Sequence, residues 1–431
     1  MAAIFAASAG AETLLLERTQ DGGRKILISG GGRCNILPAQ IDESRFVTDS
    51  SPHTLRKILR SWPLREQIAF FEGDVGIPLV EEGEDTTSAK LFPVSQRARD
   101  VRDRLLALAR RRGVTVLMNR IVTGFAPSED GWRIDLQEQE ALHADAVIVA
   151  TGGLSVPNTG SDGRGLRIVE QLGHTVRPTY AALTPLTATP APFEKLAGIS
   201  LPVALTARAG EMMASATGGF LFTHSGYSGP AVLDVSHIAV RSRIRSGSLA
   251  RIVVRWTPLG DKDWEAALRP RGSQTVLGAL GAALPNRLGE TLLEIANVEP
   301  RQTLSNLRRD ERRRLIDTLV RGVLPWTGDE GYKKAEVTGG GVSLSEIDPT
   351  TMESRKHQGL FLCGEMLDAF GPIGGYNFFW AWATGRAAGR GAAQVTPEHR
   401  SPRDSNQTGD RGATRRSGWG SRLSPPPSGP C

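Results

Sequence analysis

Glycine clusters that directly follow short apolar runs are the feature of this sequence that most constrains its fold. An apolar run ending in adjacent glycines is typical of a buried parallel strand followed by a tight turn. Four clusters follow this pattern, at residues 28–32, 150–153, 338–341 and 371–375. Without a Cβ, backbone N–H groups can converge on an anion or on a flat ring. One cluster also suits an ordinary turn, but four favour a large ligand laid across strand ends, where open parallel sheets bind theirs.

Segments of alternating helix and strand character predict an α/β fold with parallel strands. Residues 1–10 read as a small-residue helix, and "TLLLE" at 13–17 reads as a buried strand. An amphipathic helix follows at 96–113, with apolar residues at helical spacing and arginines around the remainder. The buried run "ADAVIVA" at 144–150 leads into a helical pattern at 163–173.

The pattern changes at about Leu183, which indicates an insertion in the α/β fold. Proline-punctuated β-like pieces continue to about residue 258, and residues 262–325 have a helical pattern. The sequence therefore predicts five parts: the first part of an α/β domain at 1–182, an inserted β subdomain at 183–260, an inserted helical subdomain at 261–330, the second part of the α/β domain at 331–395, and a basic tail at 396–431.

The tail at 396–431 is rich in Pro, Ser, Gly and Arg and has almost nothing to bury, so we expect it to be disordered. Its six arginines against three acidic residues supply half of the net charge of +6. Binding of nucleic acid would need aromatic residues among the cations, and the tail offers only Trp419. A solvated extension is therefore the favoured interpretation, and a nucleic-acid partner is not expected.

Cysteine usage and hydropathy favour a soluble cytoplasmic protein without a metal site. Cys34, Cys363 and Cys431 are odd in number and too far apart for metal-ligand spacing, so we expect reduced thiols. No apolar run approaches the roughly 20 residues that a membrane-spanning helix requires. The N-terminal residues also lack the layout of a signal peptide.

Two further positions suit a dinucleotide. Glu17 ends the second element of what reads as a βαβ unit, where an acidic residue binds the adenosine ribose, although the G-x-G-x-x-G turn that should precede it is absent. Gly374, Gly375, Tyr376 and Asn377 open a helix whose unpaired N–H groups suit an electron-rich ring edge. A close-packed core helix is the alternative interpretation of that segment.

Seven segments, in this order, resemble a known family: "GRKILISGGGRCN", "LFPVSQRARDV", "VIVATGGLSVPNTGSDGRG", "GGFLFTHSGYSGPAVLDVS", "EVTGGGVSL", "TMESRKHQGLFLCGE" and "GGYNFFWAWATGRAAG". The family is that of the bacterial NAD(P)/FAD-dependent oxidoreductases of the BaiN/YhiN type. The resemblance spans about residues 1–395. It implies an FAD/NAD(P)-binding Rossmann-like domain of the glutathione-reductase type, interrupted by a β-barrel-like and helical insertion, and a non-covalently held FAD.

The resemblance also implies roles for individual residues. Glu17 would hold the adenosine ribose, and Gly364 and Glu365 stand where many such flavoproteins bind the ribitol. The backbone of Ile121 and Val122 would contact the adenine, and Thr151, Gly152 and Gly153 would lie beside the dinucleotide. The flavin N1–O2 edge would contact Gly374, Gly375, Tyr376 and Asn377.

The segment "SGGGRCN" would serve the cofactor as well. The resemblance implies that Gly30, Gly31 and Gly32 let the backbone approach the pyrophosphate and the flavin, that Arg33 provides a cation for a phosphate or a substrate anion, and that Asn35 hydrogen-bonds the ring. Cys34 has no nearby cysteine partner, so a redox disulfide is not expected. A catalytic thiol and a small buried residue remain as alternatives, and the second is favoured.

Relatives of this type begin with a strand and a G-x-G-x-x-G turn, whereas this sequence begins within the helix that follows them. Either upstream residues belong to the reading frame, or the chain is truncated and binds FAD poorly. We expect the first.

The chemistry implied is hydride transfer through flavin N5, with NAD(P)H as donor and a small organic molecule as acceptor, including reduction of a C=C bond. His224 and Tyr227 are candidate proton donors, and structural roles remain open for both. An RNA-modifying flavoprotein that uses the basic tail is one alternative function. A flavin-free, non-catalytic paralogue is another, and the sequence indicates no oligomeric state.

Overall fold

The computed structural model describes residues 1–83, 89–245 and 248–395 of the chain. The tail predicted to be disordered, 396–431, lies outside the described residues. The described part contains one large hydrophobic core built from segments between Ile4 and Ala388, and a second core built from residues between Leu186 and Leu324.

Helices are numbered here in chain order. The described residues form twelve of them: α1 (Ala2–Ser8), α2 (Arg24–Ile28), α3 (Pro52–Leu59), α4 (Leu64–Glu72), α5 (Ala98–Arg111), α6 (Arg164–Gln171), α7 (Pro230–Ile244), α8 (Asp261–Ala267), α9 (Val276–Leu280), α10 (Asn286–Ile295), α11 (Arg309–Arg321) and α12 (Tyr376–Ala392). The helices predicted at 1–10, 96–113 and 163–173 correspond to α1, α5 and α6.

Strands are numbered in the same way. The described residues form nineteen: β1 (Leu14–Leu16), β2 (Leu37–Pro38), β3 (Leu79–Glu82), β4 (Lys90–Pro93), β5 (Thr115–Leu117), β6 (Val122–Ser128), β7 (Gly131–Leu136), β8 (Leu142–Ala144), β9 (Val147–Val149), β10 (Val176–Ala182), β11 (Leu186–Thr187), β12 (Ser200–Ala209), β13 (Met212–Phe222), β14 (Gly226–Ser228), β15 (Arg251–Arg255), β16 (Gly322–Val323), β17 (Gly328–Asp329), β18 (Val337–Val342) and β19 (Leu360–Leu362).

Parallel pairing occurs in two short strand pairs, β1 with β5 and β9 with β19. In the first pair Leu16 lies opposite Leu117, and in the second Val149 lies opposite Leu362. Because the strands of each pair run the same way, the residues after them meet at one edge. Glu17 follows the first pair, while the glycine pair after β9 and the Gly364 turn after β19 follow the second.

The region predicted as an insertion contains a seven-stranded antiparallel sheet in the order β16-β15-β12-β13-β14-β11-β17. Helix α7 packs against β12 and β13 of this sheet, and helices α8 to α11 follow β15. The sequence did not predict α7, since residues 230–244 were included in the β-like pieces. Ten of its fifteen residues are buried, so it lacks the one-sided polar pattern that marks a surface helix.

Three glycine clusters differ from the prediction that they follow strands. Residues 371–375 follow a turn and a loop, because the strand before them, β19, ends at Leu362. The run "RKILI" is helix α2, not a strand, and it packs against α5. Residues 338–341 lie inside strand β18, which pairs antiparallel with β10. An added Cβ at Gly339 would lie 2.3 Å from the ring of Tyr180, and one at Gly340 would lie 2.3 Å from the carbonyl oxygen of Pro178. Cross-strand packing therefore accounts for these glycines.

Within the described residues, no helix is both long enough and apolar enough to cross a membrane. The same residues include no group of three or more His, Cys, Asp or Glu side chains placed to hold a metal ion. The buried members of the second hydrophobic core lie between Leu186 and Leu324. The division of the chain at 183, 260 and 330 stays a prediction.

Candidate functional site

A cleft of about 350 Å³ lies where the first parallel strand pair ends. Glu17 continues this pair, because its N–H donates to the carbonyl oxygen of Leu117 at 2.9 Å. Its carboxylate accepts hydrogen bonds from the N–H and the hydroxyl of Thr19, both at 2.7 Å. The residues that line the cleft are Arg18, Thr19, Gln20, Arg24, Asn119, Ile121, Pro157, Asn158 and Gly160. The structure thus brings Ile121 and the segment that follows Glu17 to one cleft, as the cofactor prediction requires.

An ion pair fixes the wall of this cleft. Arg18 Nη1 lies 2.5 Å from Asp162 Oδ2, and it also donates to the carbonyl oxygen of Gly160 at 3.3 Å. Burial raises the pKa of Asp162, but hydrogen bonds from Arg18 and from the Arg164 N–H outweigh it and hold the pKa below its usual value. Arg164 in turn donates to the carbonyl oxygen of Val122 at 3.4 Å. The cleft therefore keeps its shape through charges that stay ionised near neutral pH.

A buried polar network joins three of the predicted glycine clusters. Glu365 Oε1 accepts hydrogen bonds from the N–H of Thr338 at 3.0 Å, from its hydroxyl at 2.9 Å, and from the hydroxyl of Ser155. Lys25 Nζ donates to Ser155 Oγ at 2.5 Å and lies 3.6 Å from Glu365 Oε2. One carboxylate thus connects helix α2, the turn after β9, strand β18 and the turn after β19. We refer to Lys25, Ser155, Thr338 and Glu365 as the Glu365 network.

The glycines after β9 are packed against this network. An added Cβ at Gly153 would lie 2.4 Å from Thr338 Oγ1 and 3.1 Å from Glu365 Oε1. One at Gly152, where φ is +73°, would lie 2.8 Å from Ser161 Oγ. Thr151, just before them, is exposed. Gly153 is therefore required where segments distant in the sequence approach closely, and Gly152 where the same loop folds back on itself at Ser161.

The start of helix α12 lies against strand β2. Gly375 has a φ of +93°, and an added Cβ there would lie 2.4 Å from the carbonyl carbon of Leu37. Asn377 holds the preceding loop, because its side chain accepts from the N–H of Gly371 at 2.9 Å and donates to the same residue's carbonyl at 3.0 Å. The Tyr376 hydroxyl accepts from the N–H of Asp42 at 3.3 Å. These contacts leave the N-terminal turn of α12 fixed in place.

Helix α12 also contacts the Gly364 turn, which links the two ends of the site. The Trp380 indole N–H donates to the Gly364 carbonyl at 3.1 Å, and the Gly364 N–H donates to Thr384 Oγ1 at 3.0 Å. Gly364 itself has a φ of +78° and open space where a Cβ would project. The residues predicted to contact the cofactor therefore form a continuous strip, which runs from the cleft beyond Glu17 through the Glu365 network to the Gly374–Gly375 turn.

The turn at residues 29–35 is glycine-rich and mostly exposed. Gly30, Gly31 and Gly32 all have positive φ, and an added Cβ at Gly31 would meet open space. Arg33 is already paired, since its Nη1 lies 2.8 Å from Glu82 Oε2 and its guanidinium lies 4.3 Å above the Phe92 ring. Its role toward a phosphate stays a prediction, as does that of the half-buried Asn35.

The structure favours a packing role for Cys34. Its side chain is fully buried in the large core, and burial raises the pKa of the thiol to about 11. A thiol with a raised pKa has little thiolate near neutral pH and is a weak nucleophile.

The two candidate proton donors lie in different environments. His224 is exposed in the turn between β13 and β14. Tyr227 is 1% exposed, lies in the core of the inserted region, and donates its hydroxyl to the carbonyl oxygen of Pro325 at 2.8 Å. Burial raises the pKa of Tyr227 well above its usual value. A proton donor must reach its acceptor, so this placement leaves only His224 accessible.

Sequence reasoning missed several polar residues of the site, namely Lys25, Lys90, Ser155, Asp234 and Thr338. Lys25, Ser155, Asp234 and Thr338 lie within segments that carry the family resemblance, but nothing in those segments singled these side chains out, and Lys90 lies outside them. Asp234 and Thr338 acquire their surroundings only because α7 and β18 pack beside segments more than a hundred residues away in the chain.

The described residues fit the dinucleotide that the resemblance implies. Positive-φ glycines with open space lie at Gly31 and Gly364, an open cleft follows Glu17, and the N-terminal turn of α12 is fixed by its neighbours. Glycines that must approach other segments closely lie at Gly153 and Gly375. An α/β protein with such a strip across its strand ends belongs to the class of Rossmann-type dinucleotide-binding proteins.

Comparison with known proteins defines the family. The profile of the HI0933-like protein Rossmann domain matches residues 1–391, and the chain belongs to this family. It is an FAD-dependent oxidoreductase with an FAD-binding Rossmann-type domain, which confirms the predicted fold class, the enzyme class and FAD as the cofactor.

Individual relatives cover nearly the whole chain. The chain is 34% identical to the ribosomal RNA dihydrouridine synthase of Escherichia coli (strain K12), over 88% of this chain and 92% of that protein. It is 32% identical to the 3-dehydro-bile acid delta(4,6)-reductase of Clostridium scindens, over 91% of this chain and 96% of that protein. Among solved structures, the 3-ketosteroid-delta4-(5alpha)-dehydrogenase from Rhodococcus jostii RHA1 is 17% identical with a TM-score of 0.42, and the alignment covers 91% of this chain and 94% of that one.

Proposed function

We propose that this protein reduces a C=C bond conjugated to a carbonyl group in a small organic substrate, with NAD(P)H as the external electron donor. The observation that carries this proposal is what two relatives have in common. Dihydrouridine is formed by saturating the uracil C=C bond next to a carbonyl, and a 3-dehydro delta(4,6) steroid has its C=C bonds conjugated to the 3-oxo group. Both reactions therefore add a hydride and a proton to the same functional group.

In this proposal the residues of the site hold FAD along one strip. The cleft beyond Glu17 takes the adenosine, with Ile121 and Val122 beside the adenine. The turns at Gly152–Gly153 and Gly30–Gly32 take the pyrophosphate, and the Gly364–Glu365 turn takes the ribitol. Bound FAD supplies hydride chemistry that side chains cannot supply.

The N-terminal turn of α12 serves the pyrimidine edge of the flavin. Its free N–H groups and the positive end of the helix favour negative charge, which is the charge that the reduced ring develops there. Asn377 supports this function by fixing the loop before Gly374, and Tyr376 supports it through Asp42.

Addition of hydride to a conjugated C=C bond requires a proton as well, and His224 is the proposed donor. It is exposed in the turn between β13 and β14, and histidine is the side chain that most often serves as a general acid or base in enzymes. Tyr227 is not included in the proposal because its hydroxyl is already donated to Pro325 inside the inserted core. We further propose a cytoplasmic location, supported by the two buried, unpaired thiols Cys34 and Cys363.

The proposed function predicts a two-step absorbance cycle. We expect purified protein with bound FAD to absorb at visible wavelengths, to bleach with NADH or NADPH in the absence of oxygen, and to regain colour with a conjugated enone such as a 3-oxo-delta-4 steroid. A saturated ketone of the same skeleton is the control and restores no colour. His224→Ala slows the recolouring step about 100-fold, within the usual range for a lost general acid, and leaves bleaching unchanged. Enone and saturated ketone behaving alike would refute the C=C assignment, and an unchanged rate in the variant would refute the role of His224.

A basic cleft favours a second candidate function, uridine reduction in RNA. Side chains along one face of α3 and a facing turn line a cleft of about 480 Å³. Its lining residues are His53, Arg56, Lys57, Arg60, Ser61, Pro349 and Thr350. Glu43 pairs with Arg60 at 2.8 Å, whereas neither Arg56 nor Lys57 has a carboxylate within ion-pair distance in the described residues. A protein surface that binds the phosphates of a nucleic acid needs neighbouring cations that no carboxylate already neutralises.

The RNA candidate predicts that charge reversal at Arg56→Glu with Lys57→Glu weakens binding of a uridine-containing ribosomal RNA fragment. We expect at least a tenfold loss and a salt dependence smaller by roughly 1.4 in logarithmic slope, since each lost phosphate contact removes about 0.7 on single strands. Filter binding over a range of salt concentrations measures both. Reversal of the exposed Arg269 and Arg271 in the inserted region is the matched control. Equal RNA affinity in both double variants would exclude this cleft as an RNA surface and leave the small-molecule proposal intact.

A further inference from the structure

Lys90 places a positive charge beside the turn that begins α12. It is the first residue of β4 and lies opposite Pro38 of β2 in the strand pair. Its Cε would lie 3.3 Å from a Cβ added at Gly374, which makes it the nearest side chain to that glycine. Lys90 is half-buried, and its ammonium has no hydrogen-bond acceptor in the described part of the chain. The methylene carbons of Lys90 therefore pack against this turn, and the ammonium lies next to them, one bond beyond Cε.

A buried carboxylate and two arginines complete the charges around this turn. Asp234 on α7 accepts a hydrogen bond from the N–H of Ile373 at 2.7 Å, and its other oxygen lies 3.5 Å from Arg45 Nη2. Its side chain is only 14% exposed. Arg33 also faces Lys90, but Glu82 neutralises it. Among the residues that the structure describes around this turn, Lys90 and Arg45 against Asp234 leave one positive charge in excess.

The ionisation of these groups agrees with that count. Burial lowers the pKa of Lys90, while Asp234 opposes this effect and Arg33 adds to it. Burial raises the pKa of Asp234 to about 6, with the Ile373 hydrogen bond, Arg45 and Lys90 acting against the rise. Near pH 8 Asp234 is therefore ionised, and the excess charge at the turn depends on Lys90.

We propose that the Lys90 ammonium raises the reduction potential of the bound flavin by supplying an uncompensated positive charge at the Gly374–Gly375 turn. This inference rests on the proposed function, in which that turn holds the pyrimidine edge of the ring. Two-electron reduction leaves negative charge at that edge, so a nearby cation stabilises the reduced form over the oxidised form. Asp234 has the opposite effect and limits the contribution of Lys90.

The inference predicts opposite shifts for two substitutions in the full-length FAD-bound protein at pH 8. Lys90→Met lowers the two-electron equilibrium constant for flavin reduction at least tenfold, which corresponds to about 30 mV. Asp234→Asn raises it, because the amide still accepts from Ile373 N–H but carries no charge. An anaerobic redox titration against a reference dye measures both, and the dissociation constant for sulfite, which adds to the flavin and leaves the same negative charge, is an independent probe that requires no turnover.

Controls separate this local charge effect from general ones. Lys90→Arg keeps the charge, and Lys195→Met makes the same change at an exposed site in the inserted region; both are expected to stay within threefold of the unaltered protein. A Lys90→Met protein with full FAD content and an unchanged potential would overturn the inference while leaving the proposed function standing. If Lys90→Met fails to hold FAD, Asp234→Asn decides, and an unchanged potential there overturns the inference equally. Unaltered protein that binds no FAD would instead overturn the proposed function.

Discussion

Gly375→Ala is expected to produce a folded protein that retains almost no FAD. The substitution meets two obstacles at one residue. Its φ of +93° lies in the region where a Cβ costs roughly 1–2 kcal/mol, and the added Cβ would lie 2.4 Å from the Leu37 carbonyl carbon and 2.7 Å from Pro38 N. Those neighbours are backbone atoms of β2, so they cannot rotate away as a flexible side chain can. The N-terminal turn of α12 must shift, and the flavin edge proposed to lie there loses its N–H donors.

Gly173→Ala is the matched control for this prediction. Gly173 has a φ of +87°, almost the same conformation, but an added Cβ there would meet nothing within 4 Å. The control therefore carries the conformational cost without the collision. Measured as the ratio of flavin absorbance to protein absorbance after gel filtration, FAD content is expected to fall at least 50-fold for Gly375→Ala and to stay within twofold for Gly173→Ala, with circular dichroism showing that both fold. Equal FAD content in the two variants would contradict the placement of the flavin edge at this turn.

The glycine pattern predicted close approach between segments better than it predicted the local structure. Gly153 and Gly375 are required where segments distant in sequence approach closely. A position that needs a positive φ or has no room for a side chain is recognisable in a sequence because glycine occupies it. The glycines of β18 leave the same mark for another reason, since they accommodate Tyr180 and Pro178 of the neighbouring strand β10. A glycine cluster thus predicts close approach, but not what approaches.

The polar residues of the site could not be found in this way. Lys25 and Glu365 lie far apart in the chain, and only the packing of α2 against the turn after β19 makes them partners. Helix α7 was missed for a related reason, because a helix that is buried on most sides shows no helical alternation of apolar and polar residues. Its burial is also what sets the ionisation of its residues Asp234 and His237.

His237 is a buried, neutral histidine whose environment makes the protein sensitive to acid. His237 is 5% exposed, and its ring packs edge-on against Phe370 with ring centroids 5.6 Å apart. Its Nδ1 has no hydrogen-bond partner among the described residues. Burial lowers the pKa of His237 to about 4, the nearby Arg241 adds to this effect, and Asp49 opposes it. Arg241 is itself bound to Asp49 at 2.6 Å, so that carboxylate is not free to stabilise a protonated ring.

The sign of the pH effect follows from these pKa values. Between about pH 6.5 and pH 4 the unfolded chain binds a proton at His237 and the folded chain does not, so the free energy of unfolding falls as the pH falls through this window. One pKa unit corresponds to about 1.36 kcal/mol, so the loss at pH 5 is about 2 kcal/mol and approaches 3 kcal/mol near pH 4. Above pH 6.5 the contribution is constant. Asp234 acts in the opposite direction in an overlapping window, since its pKa is raised, so the effect of His237 must be isolated by a difference.

That difference is measured by comparing the unaltered protein with His237→Gln in urea unfolding at pH 7.5 and pH 5.0. Glutamine does not titrate, so the stability advantage of the unaltered protein over the variant is expected to shrink by about 2 kcal/mol between the two pH values. His53→Gln, at an exposed position on α3, is the control, and its difference from the unaltered protein is expected to change far less. If the His237→Gln difference stays constant between pH 7.5 and pH 5.0, the ring does not remain neutral on α7. A charged imidazolium would then lie edge-on against Phe370, in the loop that leads to the Gly374–Gly375 turn. Acid would in that case act on the turn proposed to hold the flavin, and not through the stability of helix α7.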